Sequence, residues 1–172
     1  MVPQQPRSPV TIHELMNIDV ASNSPESLLQ AFAATDYRVR IAGRELIVRP
    51  GLRQPDLDEA LRHRSWAIVT AFNPGGTRIS AARNRARHRR LLDTVGEAGI
   101  EFHPAVNRDP GGDWPDEVAL LLVDITRSRL DALADTFDQA AVVTGRPGRA
   151  AILRLYGEGW PSPLPDWAGH CS

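Results

Sequence analysis

Apolar positions along this chain recur at two spacings, and the alternation between them predicts its elements. The first 24 residues are polar and proline-rich, with one apolar patch from Ile12 to Ile18, and predict a flexible arm with one helical turn at most. Ser24-Pro25-Glu26 then reads as a helix opening, a capping serine followed by proline in the first turn. Leu28, Leu29, Phe32 and Ala33 continue it at helical spacing. Tyr37 to Ile41 and Glu45 to Val48 alternate apolar and polar around Ala42-Gly43, which predicts a hairpin. Asp56 to Arg64 predicts a short helix with Leu57 and Leu61 on one face. Trp66 to Phe72 is continuously apolar, as a central strand covered on both faces would be. Asn73-Pro74-Gly75-Gly76 breaks it, and Ser80 caps a long helix that ends near Ala98 and Gly99. Glu101 to Val106 is a weaker strand, and Asn107 to Pro115 is a loop. Val118 to Ile125 is a second central strand. Thr126 caps a helix to Phe137, and Ala141 to Thr144 with Ala150 to Tyr156 forms a closing hairpin. The pattern predicts an α+β (or α/β) domain at residues 25–156 with a mixed sheet flanked by helices. An arm precedes it at residues 1–24, and an irregular tail carrying Trp160 and Trp167 follows at residues 157–172.

Composition narrows the function classes. The 172 residues carry a net charge of −1, which argues against a basic nucleic-acid coat and an acidic disordered tail. Hydrophobic residues at 42% and charged residues at 24% fit a soluble globular chain. All 20 basic residues are arginine, so neither a Schiff-base lysine nor a Walker lysine exists. With 14 prolines and 13 glycines, this reads first as the codon bias of a GC-rich genome. The single cysteine, Cys171, excludes an internal disulfide and a multi-cysteine zinc site, and the histidines lack ligand spacing. Met1 to Pro9 is not followed by a signal-peptide core, and the longest apolar run, Val118 to Val123, is too short for a membrane span. A cytoplasmic protein without a membrane partner is expected.

Two places carry candidate chemistry. The first is the strand–loop–helix passage that holds Thr70, Asn73, Gly75, Gly76, Ser80, Arg83 and Asn84. A helix start offers unpaired N–H groups and partial positive charge, glycines permit close approach, and Arg78 and Arg83 add fixed charge, so a phosphate or carboxylate is the expected ligand. The passage matches neither the dinucleotide fingerprint nor a P-loop. Asn84 and His88 share the buried stripe of Leu91 and Val95, so Asn84 either reads a ligand or ties the loop. Arg85, Arg87, Arg89 and Arg90 read as a solvated face. The second place is Asp113-Trp114-Pro115-Asp116-Glu117 at the mouth of the second strand. Glu117 beside Trp114 is the best general acid/base candidate, and Asp109, Asp113 and Asp116 are possible helpers for a hard divalent cation, against the plainer reading of a solvated acidic loop. The two places meet at one sheet edge if the strands are parallel neighbours.

The stretch from Trp66 to about Leu153 resembles a bacterial domain-of-unknown-function family, number 3293. The pieces that carry the resemblance are T-A-F-N-P (Thr70 to Pro74), I-S-A-A-R-N (Ile79 to Asn84) and the Leu91/Leu92 stretch ending at Gly99. W-P-D-E (Trp114 to Glu117) before an apolar strand and F-D-Q-A-A-V-V (Phe137 to Val143) complete it. The resemblance implies that Asn73, Ser80, Asn84 and Glu117 belong to one recurring constellation, and it implies no reaction. The expected function is binding of a small anionic, nucleotide- or phosphate-like ligand, extended by hydrolase or transferase chemistry at Glu117. No cofactor is indicated. The alternative is a non-catalytic interaction or regulatory module, antitoxin- or immunity-like, whose arm and tryptophan tail contact a protein partner.

Overall fold

The computed structural model describes residues 24–170, so the expected arm lies outside the described residues except for Ser24. Ser24 caps helix α1 (Pro25–Ala34), its hydroxyl accepting from Ser27 N–H, one of the donors a helix start leaves unpaired. Strands β1 (Asp36–Ile41) and β2 (Arg44–Val48) form the expected hairpin, with Ala42 and Gly43 both at positive φ. Helix α2 (Pro55–Ala60) is shorter than its pattern, because Arg62 and His63 take positive φ and turn the chain into strand β3 (Trp66–Thr70). A 3₁₀ turn at Pro74–Gly76 leads to helix α3 (Ala81–Glu97), where Ser80 accepts from Arg83 N–H. Strands β4 (Phe102–Arg108) and β5 (Glu117–Val123) follow, then helix α4 (Arg127–Thr136) with Thr126 as its cap. Strands β6 (Ala141–Gly145), β7 (Ile152–Leu155) and β8 (Ala168–His170) complete the described chain.

The eight strands make one mixed sheet in the order β2-β1-β4-β5-β3-β6-β7-β8. All pairings are antiparallel except β7 with β8. The two continuous apolar runs are therefore central neighbours, as their composition requires, and every residue of β3 is buried. Alternation along the strands splits the core in two. Trp66, Ile68, Ala119, Leu121 and Val143 face α1, α2 and the tail, where Leu29, Leu57, Leu61, Trp160 and Trp167 pack. Ala67, Val69, Leu120, Leu122 and Val142 face α3 and α4, where Leu91, Val95, Leu130 and Leu133 pack. Three expectations need correction. β3 stops at Thr70, whose hydroxyl accepts from Phe72 N–H and bends the chain away two residues early. β4 runs to Arg108, because Val106 and Asn107 pair with Val118 and Glu117. The tail is not irregular throughout: Leu153 N–H donates to Trp167 carbonyl and residues 168–170 add an edge strand.

Candidate functional site

The junction after β3 turns on Asn73, which sits at φ 47° and ψ 65°. This left-handed conformation costs most residues about 1 kcal/mol or more and is tolerated best by glycine and asparagine. The turn is held by its own side chain. Asn84 of α3 accepts from Asn73 N–H at 2.9 Å and donates through Nδ2 to Asn73 Oδ1 at 2.9 Å, a reciprocal pair between two residues each 6% exposed. Asn73 Oδ1 also accepts from Ile79 N–H at 3.2 Å. Its Nδ2 crosses to the other side of the turn and donates to Glu117 Oε1 at 2.6 Å. The same oxygen accepts from Trp114 Nε1 at 2.9 Å. One carboxylate oxygen thus gathers an amide from the end of β3 and an indole from the loop before β5.

The backbone around the turn is clamped further by side chains from α3 and from the segment after α4. Arg87 donates through Nε to Ala71 carbonyl at 2.7 Å and through its terminal nitrogen to Phe137 carbonyl. Gln139, itself buried, donates to Phe72 and Phe137 carbonyls at 3.2 and 3.0 Å. Gly75 N–H donates to Asp138 carbonyl at 2.6 Å. Arg87 is therefore half-buried structure and not part of the solvated arginine face. The separate motif pieces, T-A-F-N-P, the asparagine of α3, W-P-D-E and F-D-Q, all meet at this one turn.

The turn borders a cleft of about 770 Å³ on the sheet face that α1 covers. Leu28 and Phe32 of α1 form one wall, with Ile68, Ala141 and Val143 on the sheet below. The polar end holds Thr70, Asn73, Arg78, Asn107, Trp114 and Glu117, with Asp109 and Asp113 on the β4–β5 loop. Tyr37, Asn107 and Glu117 stand in one transverse row, since Tyr37 pairs with Asn107 and Asn107 with Glu117. Tyr37 hydroxyl donates to Phe32 carbonyl at 2.9 Å, and burial, assisted by the Glu117 charge, pushes its pKa far above the ordinary phenol range. Asn107 Oδ1 is buried without a hydrogen-bond partner among the described residues. Arg78 reaches across the mouth, its guanidinium 4.3 Å from the Trp114 ring centre and donating to Asp113 carbonyl, so it ties the two loops together.

Of the residues singled out from sequence, Thr70, Asn73, Gly76, Trp114 and Glu117 line this cleft. Gly75, Ser80, Arg83 and Asn84 do not: Ser80 and Arg83 are exposed at the start of α3, and Asn84 stands behind Asn73. The loops do converge, but not as parallel neighbours. β3 and β5 are antiparallel, with Thr70 opposite Ala119, and that direction is what sets the end of β3 beside the start of β5. The acidic loop does not gather a metal centre. Asp109 accepts from the N–H groups of Gly111, Asp113 and Trp114, which hold its carboxyl below the usual range, and Asp116 is lowered by Arg108 at 2.6 Å. Among the described residues, no three His, Cys, Asp or Glu side chains form a metal-binding group. His88 packs edge-on to Phe72, and burial lowers its pKa. Sequence reasoning missed Tyr37, Asn107, Gln139 and the α1 wall. Alternation places Tyr37 and Asn107 on inward faces, but nothing local announces the strand register that lines them up with Glu117.

No helix among the described residues is long and apolar enough to cross a membrane. Comparison with curated proteins and with solved structures gives no match. Residues 69–142, from β3 into β6, match the model of the family described as "Protein of unknown function (DUF3293)". The matched stretch contains Asn73, Asn84, Trp114 and Glu117.

Proposed function

We propose that the chain binds a small organic molecule in the cleft between α1 and the sheet, with Asn73, Trp114 and Glu117 holding the ligand's polar end. The observation that supports this is the coincidence of the family stretch with the cleft. The residues of the T-A-F-N-P and W-P-D-E pieces build the polar end of a space large enough for a drug-sized ligand. Pinning a left-handed asparagine by every polar atom it has serves a preorganised site, because strain of this kind persists only where the surroundings over-determine it.

The same geometry changes the expected ligand and the expected role of Glu117. The anion reading relied on the start of α3, and the residues there, Ser80 and Arg83, stand outside the cleft. Glu117 Oε1 already accepts two hydrogen bonds, so the carboxylate is fixed as an acceptor, and binding rather than hydrolysis or group transfer is the reading it favours. The test fills the cleft. Ala141→Trp should fold and lose every ligand that a thermal-shift screen finds for the wild-type chain. A ligand at about 100 times its Kd stabilises by about 2.7 kcal/mol, well within reach of the assay. Ligands that stabilise Ala141→Trp as well as wild type, or a broad screen with none, would count against the cleft as a binding site.

A further inference from the structure

We infer that the cleft selects an amphiphilic cation, a protonated amine carried on an apolar, ring-sized body. The inference rests on the binding reading above and deepens it by naming the ligand class. The lining carries three carboxylates, Asp109, Asp113 and Glu117, against one guanidinium, Arg78. Arg78 is engaged at the mouth, over the Trp114 ring and donating to Asp113 carbonyl, and pairs with none of the three carboxylates. Among the described residues neither Glu117 nor Asp113 forms a salt bridge. Glu117 is half-buried and its charge is met only by neutral donors, Asn73 Nδ2 and Trp114 Nε1. A carboxylate so placed repels an anion and attracts a cation more strongly than it would in open water.

The rest of the cleft defines the other half of the ligand. From the carboxylate end the walls become apolar along Leu28, Phe32, Ile68 and Val143, with no charged side chain of the lining among them. A ligand that spans the cleft therefore meets acidic oxygens at one end and hydrocarbon at the other. A nucleotide or sugar phosphate would set its charge against the carboxylates and its polar groups against the α1 wall. A protonated amine on an aromatic or aliphatic body matches both ends without leaving a buried group unpaired.

The test uses three probes with one indole body: tryptamine, tryptophol and indole-3-acetate, titrated against the full chain by calorimetry. Tryptamine should bind about tenfold more tightly than tryptophol, the size of one partly screened charge pair at a few ångströms, and indole-3-acetate weakest. The preference should shrink as salt rises. Glu117→Gln should remove most of the amine preference, so that tryptamine and tryptophol bind with nearly equal affinity. Asp113→Asn, an exposed change away from the Asn73 turn, should lower it in the same direction if Glu117→Gln fails to fold. Equal binding of amine and alcohol, or best binding of the carboxylate, overturns the cation inference and leaves the binding reading standing. Absence of binding by all three probes, or binding that survives Ala141→Trp, overturns both.

Discussion

Asn84→Ala removes the reciprocal amide pair that holds the Asn73 turn, and its cost follows from what is left behind. In the wild-type chain Asn84 satisfies Asn73 N–H and shares Asn73 Oδ1 with Ile79 N–H. Truncation leaves the buried Asn73 N–H with no partner, which costs about 1–3 kcal/mol, and takes away one further hydrogen bond worth about 1 kcal/mol. The expected loss is about 3 kcal/mol, or a Tm lower by roughly 6–12 °C for a chain of this size. Asn84→Asp should be no rescue, because it restores the acceptor but sets a second oxygen against Asn73 Oδ1. Urea denaturation at neutral pH, with the same slope for wild type and variant, is the assay. A loss below about 0.5 kcal/mol, the range of ordinary surface substitutions, would refute the account of Asn84 as the tie that holds the turn.

Arg87→Ala should cost about 1–3 kcal/mol by taking the guanidinium from the Ala71 carbonyl and leaving the Phe137 carbonyl to Gln139 alone, and Arg87→Lys should recover little, because one ammonium does not reproduce the planar fork; denaturant midpoints read both. Gly76→Ala should destabilise by about 1–2 kcal/mol, more than Gly75→Ala. Both residues have positive φ, but only at Gly76 does the new Cβ meet a neighbour, Leu28 at 2.8 Å, against 3.6 Å to Asp138 at Gly75. Acid titration should show stability falling below the ordinary Asp value of 3.8. The unfolded chain protonates Asp109 and Asp116 there while the folded chain still holds them ionised, so acid draws the equilibrium toward unfolding. Asp109→Asn and Asp116→Asn should each flatten that limb of the melting-temperature profile, and an unchanged profile in both would show the loop contacts to be irrelevant to acid sensitivity.

Helix starts and the two central strands were legible because each rests on local chemistry. Ser24, Ser80 and Thr126 cap their helices with their own hydroxyls, and the runs around Val69 and Leu121 are apolar without interruption. The inward turn of Asn84 was legible as well, from its spacing to Leu91 and Val95. The composition of the cleft was not. Whether Glu117 looks toward α1 or toward α3 depends on strand direction and register, and a parallel arrangement suited the same residues equally well on paper. The α1 wall was hidden for a related reason: Leu28 and Phe32 are ordinary helix-face residues until the packing shows which sheet positions they cover. Arg87 was misread because an arginine on an exposed-looking helix stripe gives no sign that carbonyls from two other segments lie within its reach.

The antiparallel placement of β3 between β5 and β6 also bears on how the chain is made. The local hairpins β1–β2, β4–β5 and β6–β7 need only neighbouring segments, whereas Thr70 waits for Val118, 48 residues later, and Phe72 for Gln139, 67 residues later. Closing such separations is slow compared with forming a hairpin. At a synthesis rate of about 5–20 residues per second, the strand Trp66–Thr70, buried at every position in the finished fold, emerges on the order of ten seconds before both of its partners exist. During that interval it is an unpaired, β-prone, uncharged segment, the kind that pairs with other chains. The strand that anchors the cleft in the finished molecule is thus the chain's chief hazard during its birth, and chaperone dependence during expression should track changes in β5 and β6 rather than changes in β3 itself.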